Sequence, residues 1–342
     1  MSRQLQVLLG FVITAVLLGL AVRDVDLAQV GQILARAQLG WVVPGALCVV
    51  LGYLVRTLRW RVLLTPVKRL PVPLLLQALL LGFAANNVLP ARIGELVRAH
   101  AIGTRAALSR SLALTTIVVE RVFDGLTLIA LMGVVLLLFP LRGELPEVRL
   151  VMVGSAAVFL SIGLGLVVLL LNEGLVLRLA ALLLRPFPAR LAQRGQAVVV
   201  NVLGGLQALR VRRHILAVVG LSLVVWSLEA AGYFFVLRAL AVPLGLEQQV
   251  LAALFLVVFV NLGIMIPSAP GYLGTFQLFA KIALSAFGVP ATLGFAVAVL
   301  AHAVQYLLVT SAGAVVFLRE QLTLGWPLPA GLEPRLGEPT RE

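Results

Sequence analysis

The 342-residue sequence contains few charged residues and a single cysteine. Charged side chains account for 12% of the chain, and Cys48 lies inside an apolar run. One thiol excludes an internal disulfide framework and a cysteine metal cluster. No His and carboxylate cluster has metal-ligand spacing and no glycine-rich phosphate loop occurs, so we expect neither a metal nor a cofactor. No polar stretch is long enough to fold as a soluble domain of useful size.

Long apolar segments dominate the chain instead. Hydrophobic residues make up 61% of it, and the mean hydropathy is +1.09. Apolar runs of about 20 residues have the length that crosses a bilayer as a helix. The sequence therefore predicts an all-α polytopic membrane protein. The predicted full spans are residues 5–22, 40–56, 111–139, 150–171, 215–242 and 291–318, and two further apolar stretches cover 72–90 and 249–288.

The distribution of basic residues predicts the orientation of these spans. The formal net charge is +13, and the arginines fall mainly in the loops between apolar runs, as the positive-inside rule requires. If 72–90 and 249–288 are re-entrant hairpins, six full spans remain, both termini are cytoplasmic, and most basic residues lie on that side. We expect one membrane domain over 1–318 and a short, disordered cytoplasmic tail over 319–342.

Residues 86–98, with the sequence NNVLPARIGELVR, end an apolar run in an unusual way. Unpaired backbone polar groups are costly in hydrocarbon, so a helix broken here must be buried in protein or line a wet cavity. We therefore predict a polar site rather than a simple helix exit. The predicted headgroup-contacting residues are Asn86, Asn87, Arg92, Glu95 and Arg98, and the predicted helix-breaking residues are Pro90 and Gly94.

Residues 261–277, with the sequence NLGIMIPSAPGYLGTFQ, repeat this pattern. Asn261 follows an apolar run, Pro267, Pro270, Gly271 and Gly274 break the helix, and Gln277 follows the break. Two interrupted segments that enter from opposite faces indicate an inverted repeat, here with halves over about 40–139 and 215–318 and a site between them. Half-helix N-termini in such a site favour an anion such as phosphate. The alternative is that proline and glycine merely kink two packed helices.

Several ionisable residues fall inside the predicted spans. Glu120 and Asp124 are four residues apart and share a helix face, and Arg121 lies within reach of Asp124. A charge near the bilayer centre costs about 2.5 to 3.5 kcal/mol, so these side chains must face the bundle interior or water. They either contact a headgroup or form a buried structural ion pair. Glu229, which needs a partner from another helix, and His302, for which a structural hydrogen bond is the alternative, complete the predicted cavity.

Two basic clusters flank predicted spans. Arg56, Arg59 and Arg61 follow the second span, and Arg210, Arg212 and Arg213 precede the span at 215–242. Such residues either snorkel to the membrane surface or form a cationic mouth for lipid phosphate. The basic stretch 172–214 lacks the series of base-stacking aromatics that a single-stranded nucleic-acid binder needs, so we expect no nucleic-acid partner.

Three motifs together resemble a known family. They are NNVLPARIGELVRA, the ER-x-x-D pattern of Glu120, Arg121 and Asp124, and P-x-x-P-G-x-x-G-x-x-Q from Pro267 to Gln277. They are similar to the membrane domain of lysylphosphatidylglycerol synthases and to stand-alone flippase-like proteins. The resemblance implies an inner-membrane protein of bacteria or archaea that moves a lipid between leaflets. Family members often carry an acidic residue at the position of Gln277. The synthases also have a soluble aminoacyl transferase domain, for which the tail has no room, so synthase activity is not expected.

Three functions follow as hypotheses from these residues. The first is a translocase for an anionic phospholipid or a polyprenyl-linked lipid, whose phosphate arginine would bind in a bidentate manner. The second is an intramembrane glycosyl- or acyl-transferase with Glu95, Glu120 or Asp124 as the base. The third is a non-transporting partner of an envelope enzyme, and a homo-oligomer is also open.

Overall fold

A computed structural model describes residues 3–89, 93–138, 153–154, 157–158, 160–165, 172–265 and 270–324. Within these ranges the regular secondary structure is helical, with no β-strand. The principal helices are α1 (Arg3–Val22), α2 (Leu27–Ala35), α3 (Leu39–Leu64), α4 (Val72–Val88), α5 (Gly94–Ala106), α6 (Arg110–Leu138), α7 (Glu173–Leu184), α8 (Ala189–Gly205), α9 (Arg212–Ala239), α10 (Leu246–Gly263), α11 (Thr275–Ser285) and α12 (Ala291–Leu324). Short 3₁₀ turns occupy Gln207–Arg210 and Pro270–Tyr272.

Four described helices are long and apolar enough to cross a membrane. They are α3, α9, α10 and the segment Ala291–Leu322 of α12. The predicted spans 40–56, 215–242 and 291–318 fall on three of them, and the predicted span 111–139 falls on the 29-residue helix α6. The stretch 249–288 divides into α10 and α11, and the 18 residues of α10 have spanning length by themselves. The predicted span 150–171 lies mostly outside the described residues.

The two long helices α3 and α9 pack closely against each other. Their backbones approach closely because Gly45 faces Gly232, where an added Cβ on Gly45 would come within 3.5 Å of the Gly232 carbonyl. Small residues commonly allow this contact between membrane helices. Around this pair, α4 packs on α5 and α12, and α10 packs on α11 and α6. Arg59 of α3 and Ser222 of α9 are fully buried in the bundle.

The first interrupted segment lies between α4 and α5. Leu89, which caps α4, has extended backbone angles, and α5 begins at Gly94. The chain folds back so closely that a Cβ on Gly94 would overlap the carbonyl of Gly82 and the side chain of Asn86. Asn86 also accepts a 2.7 Å hydrogen bond from the Gly94 amide, which satisfies one of the free N–H groups at the start of α5.

The second interrupted segment lies between α10 and α11. Gly271 and Gly274 adopt φ angles of 73° and 80°, in the left-handed region that favours glycine. A side chain at Gly271 would meet Tyr306 and the carbonyl of Asn87, so this segment contacts the end of α4. The two interruptions, which are far apart in the sequence, therefore meet in the fold.

The N-terminal helices pack against elements from the other end of the described chain. Gly274 packs against the backbone of α1 at Thr14 and Leu18. Lys281 of α11 donates 2.9 Å hydrogen bonds to the carbonyls of Leu20 and Arg23, at the C-terminal end of α1. This arrangement satisfies carbonyls that have no partner within their own helix.

Candidate functional site

A cavity of about 430 Å³ lies where the two interrupted segments meet. Helices α3, α4, α5, α6, α9, α10, α11 and α12 all contribute to its wall. The wall combines aromatic rings with ionisable and amide side chains, a composition typical of a site for a polar ligand. The polar residues used below are Tyr53, Arg56, Asn87, Glu95, Arg121, Asp124, Glu229, Asn261 and His302.

Arg56 and Glu229 form an ion pair in the cavity wall. The Arg56 Nη2 atom lies 2.6 Å from Glu229 Oε2, and each of the two side chains is 12% exposed to solvent. The guanidinium also lies over the rings of Tyr53 and Trp226, 5.6 and 5.4 Å from their centroids. Asn261 donates a 2.8 Å hydrogen bond to the other oxygen, Glu229 Oε1. Each oxygen of this carboxylate therefore has its own donor.

Arg59 organises a second group of charges that is closed off from the surface. Its Nη1 atom donates hydrogen bonds to Asp124 Oδ1 at 2.6 Å and to Ser222 Oγ at 2.9 Å. Its Nε atom lies 3.7 Å from Glu120 Oε1. Both side chains of this last pair are at most 1% exposed. One arginine of α3 thus links two carboxylates of α6 with a hydroxyl of α9.

Arg98 completes this buried group from α5. Its Nη1 atom lies 2.7 Å from Glu120 Oε2, and its guanidinium stacks 3.6 Å above the centroid of the Trp60 ring. The Trp60 indole donates a 2.9 Å hydrogen bond to Thr116, which fixes the plane of the ring. A cation over an indole face gains cation–π energy when it is desolvated.

Arg121 of α6 lines the cavity beside Asp124. Its Nη2 atom lies 3.4 Å from Asp124 Oδ2, and 44% of its side chain is exposed. Asp124 is therefore shared between a sealed arginine, Arg59, and an accessible one. This contact follows from the i, i+3 spacing of the two residues on the helix.

The amides near both interruptions make specific hydrogen bonds. Asn86 donates to Glu95 Oε1 at 3.3 Å, and Asn87 donates to Thr310 of α12 at 2.8 Å. In the second interruption, Gln277 accepts a 2.8 Å hydrogen bond from the Gly274 amide, and its Nε2 lies 3.0 Å from His302 Nδ1. These contacts hold the starts of α5 and α11 against their neighbours.

The structure places the predicted headgroup residues in three groups. Those that line the cavity are Asn87, Glu95, Arg121, Asp124, Glu229, Asn261 and His302. Asn86, Arg98, Glu120 and Gln277 are buried behind its wall. Arg92, with the helix-breaking residues Pro90 and Pro267, lies outside the described residues.

The prediction of a membrane-surface position is wrong for Arg59 and Arg56. Arg59 is fully buried, and Arg56 lines the cavity, because carboxylates of α6 and α9 provide partners inside the bundle. The other residues of the two predicted basic clusters are exposed, and these are Arg61, Arg210, Arg212 and Arg213. The cavity residues that sequence reasoning missed include Tyr53 and Trp226. The spacing of Tyr53 and Arg56, three residues apart on one helix, was the available local signal.

The charges at and directly behind the cavity balance. Four arginines and four carboxylates of the described chain lie in this region. Three of the carboxylates pair with arginines, and Glu95 accepts a hydrogen bond from Asn86. The arginines are Arg56, Arg59, Arg98 and Arg121, and the carboxylates are Glu95, Glu120, Asp124 and Glu229. Across the described ranges, no three His, Cys, Asp or Glu side chains come together in a group that would hold a metal ion.

The fold and cavity together define a helical, polytopic integral membrane protein with a polar cavity inside its bundle. The chain belongs to the family of the lysylphosphatidylglycerol synthase transmembrane region, which it matches over residues 7–313.

Two curated relatives come from archaea. Glycosyltransferase AglD of Haloferax volcanii is 28% identical over 348 residues, which cover 94% of this chain and 56% of that protein. The UPF0104 membrane protein MJ1078 of Methanocaldococcus jannaschii is 24% identical over 233 residues, which cover 68% of this chain and 92% of that protein. The chain thus spans only about half the length of the glycosyltransferase.

Proposed function

We propose that this protein is a lipid translocase, which moves a phospholipid or a polyprenyl-linked lipid between leaflets. The observation that carries the proposal is the 430 Å³ cavity lined by Arg56, Arg121 and three carboxylates. Ionisable residues inside a membrane protein typically mark the path of a substrate or ion. Arginine matches the geometry of a phosphate, and the carboxylates and amides suit a cationic or hydroxyl-rich headgroup.

The proposed topology has six full spans, two re-entrant hairpins and both termini in the cytoplasm, in the inner membrane. The order of the helices supports halves over about 40–139 and 215–318. In each half a long helix and a shorter one precede the interruption, and a short helix and a long one follow it. The packing of α4 on α12 has its counterpart in the packing of α10 on α6. An inverted repeat allows alternating access by movement of one half against the other.

Headgroup exchange in liposomes tests this function. Purified protein should accelerate the exchange of fluorescent phosphatidylglycerol or a polyprenyl phosphate lipid between leaflets. Replacement of the cavity residues in the double variant Arg56→Ala/Glu229→Ala should remove the acceleration, because the ion pair in the wall is lost. Arg61→Ala, an exposed change on the same helix, is the matched control. No acceleration over empty liposomes with any anionic, aminoacylated or polyprenyl lipid would refute the proposal.

An intramembrane glycosyltransferase is the second candidate, and the name of the Haloferax relative favours it. Glu95 and Asp124 line the cavity and are the carboxylates available as a base, whereas Glu120 is held behind the wall by Arg59 and Arg98. Mass spectrometry of lipids incubated with the protein and sugar donors distinguishes the two candidates. A covalently altered lipid supports the transferase, and moved but unaltered lipid supports the translocase.

A further inference from the structure

We propose that Arg56 binds the phosphodiester anion of a lipid headgroup in exchange for Glu229, and that Glu229 takes up a proton as it releases the arginine. This inference rests on the proposed translocase function and assigns its ligand chemistry. It makes the Arg56–Glu229 pair a binding site for one lipid phosphate and one proton together.

The first support is the position of the pair. Both partners of Arg56–Glu229 line the cavity, so an entering anion reaches this guanidinium without opening the protein core. By contrast, Arg59 and Arg98 are sealed behind the wall by Asp124, Glu120 and Trp60. Arg121 is accessible, yet it shares Asp124 with Arg59. Arg56 is therefore the arginine whose counter-ion is most readily exchanged for a ligand.

The second support is that the two oxygens of Glu229 have different hydrogen-bond partners. Oε1 accepts a hydrogen bond from the Asn261 amide, and it can accept this bond both as part of a carboxylate and as the carbonyl oxygen of a carboxylic acid. Oε2 faces Arg56. When a phosphate oxygen replaces Oε2 on the guanidinium, Oε2 is free to take the proton while Oε1 keeps its partner. Asn261 thus holds the side chain in place through the exchange.

The third support is the charge balance. The pair is neutral, and the other charged residues of the cavity wall are Glu95, Arg121 and Asp124. An added anion leaves one uncompensated negative charge, which is costly inside a membrane protein. Arg121 is already committed to Asp124, and Glu95 adds a negative charge of its own. Protonation of Glu229 restores neutrality.

The other uncharged titratable groups around the cavity are poorer candidates to take up the compensating proton than Glu229. They are the thiol of Cys48, the phenols of Tyr53, Tyr233, Tyr272 and Tyr306, and the imidazole of His302. A thiol or a phenol can only lose a proton, and the loss of a proton cannot compensate an added anion. His302 Nδ1 is engaged by Gln277.

The exchange is balanced in charge and atoms. The reactants are the ion pair of Arg56 with the Glu229 carboxylate, one phosphodiester monoanion and one proton. The products are the ion pair of Arg56 with the phosphodiester and the carboxylic acid of Glu229. Binding therefore consumes one proton. The dissociation constant should rise with pH by up to about tenfold per unit once Glu229 is ionised in the empty protein.

Calorimetry on the purified full-length protein tests the inference. The probe is dihexanoylphosphatidylglycerol, whose phosphodiester keeps one negative charge throughout the pH range used. Titrations in buffers with different ionisation enthalpies give the number of protons taken up. We expect about one proton per lipid for the native protein. Glu229→Gln should bind without proton uptake and with little pH dependence, and Arg56→Gln should bind at least about tenfold more weakly.

Controls separate the possible outcomes. Glu247→Gln, an exposed change at the start of α10, should behave as the native protein. Glycerophosphoglycerol carries the same phosphodiester without acyl chains, and equal binding of it would overturn the assignment to a lipid. Infrared difference spectra of the native protein should show a new protonated carboxyl band when lipid is added, which does not depend on any variant folding.

The exchange is overturned if the lipid binds without proton uptake, or if proton uptake persists in folded Glu229→Gln. Either result leaves the translocase proposal intact. The translocase proposal fails separately, if the native protein does not move lipid in liposomes.

Discussion

Arg59 and Asp124 are joined by a buried ion pair of 2.6 Å, although 65 residues separate them in the chain. The same arginine lies near Glu120, so it compensates two carboxylates that the helix period places on one face of α6. Removal of Arg59 would leave the buried Asp124 with only Arg121, which is 3.4 Å away and exposed, and would leave Glu120 with Arg98. The consequence is a strong dependence of stability on Arg59.

We expect Arg59→Met to lower the free energy of unfolding by about 3–5 kcal/mol, because two carboxylates lose their shared cation. Thermal unfolding in detergent, followed by circular dichroism, measures the change. Arg61→Met is the matched control, since Arg61 is exposed two residues away and should change stability by less than about 0.5 kcal/mol. Equal effects of the two substitutions would contradict the buried role of Arg59.

Gly94→Ala should destabilise the first interruption. The new methyl group would overlap the carbonyl of Gly82 and the amide of Asn86, and separating α4 from α5 should cost about 1–3 kcal/mol. Gly133→Ala on α6 is the control, because no atom lies within 4 Å of its added Cβ. An alanine there should be neutral or stabilising, as alanine is favoured over glycine inside helices. The same unfolding measurement would refute the close approach of α4 and α5 if both variants behave alike.

Arg98→Lys should destabilise the protein, even though lysine keeps the positive charge opposite Glu120. An ammonium group lacks the flat face that stacks on Trp60 at 3.6 Å, so we expect a loss of about 1–2 kcal/mol. A double-mutant cycle with Trp60→Leu measures the coupling between the two side chains. Arg213→Lys, at an exposed position, provides the reference, and additive effects in the cycle would argue against the stack.

Gln277→Glu should change the tautomer of His302. The Gly274 amide fixes Gln277 Oε1 as an acceptor, so its Nε2 donates to His302 Nδ1 and the imidazole carries its proton on Nε2. A carboxylate only accepts, and His302 would then have to donate from Nδ1. Nitrogen NMR of histidine-labelled protein detects the change, with His302→Phe to assign the signal. An unchanged spectrum in Gln277→Glu would contradict the hydrogen bond.

Local patterns predicted the features that depend on helix period and chain breaks. The shared face of Glu120 and Asp124 follows from their spacing of four residues. The interruption before α11 was visible in Gly271 and Gly274, both of which adopt positive φ. Family membership also followed from the spacing and order of these motifs. These features need only residues that are close in the sequence.

The pairing of charges between distant helices was not predictable in this way. Arg59 ends an apolar run beside other arginines, which is the pattern of a surface anchor, and only the folded bundle brings it to Asp124. Glu229 was expected to need a partner from another helix, but nothing local identified that partner as Arg56, 173 residues earlier. The structure was therefore needed to identify the arginines that face the cavity.

The contact of Lys281 with the end of α1 has a consequence for biosynthesis. Lys281 follows Leu20 by 261 residues, so the carbonyls of Leu20 and Arg23 cannot meet this side chain until most of the chain has been translated. Gly274, which lies on the backbone of α1, arrives equally late. Helix α1 therefore gains these contacts only after α11 has been synthesised.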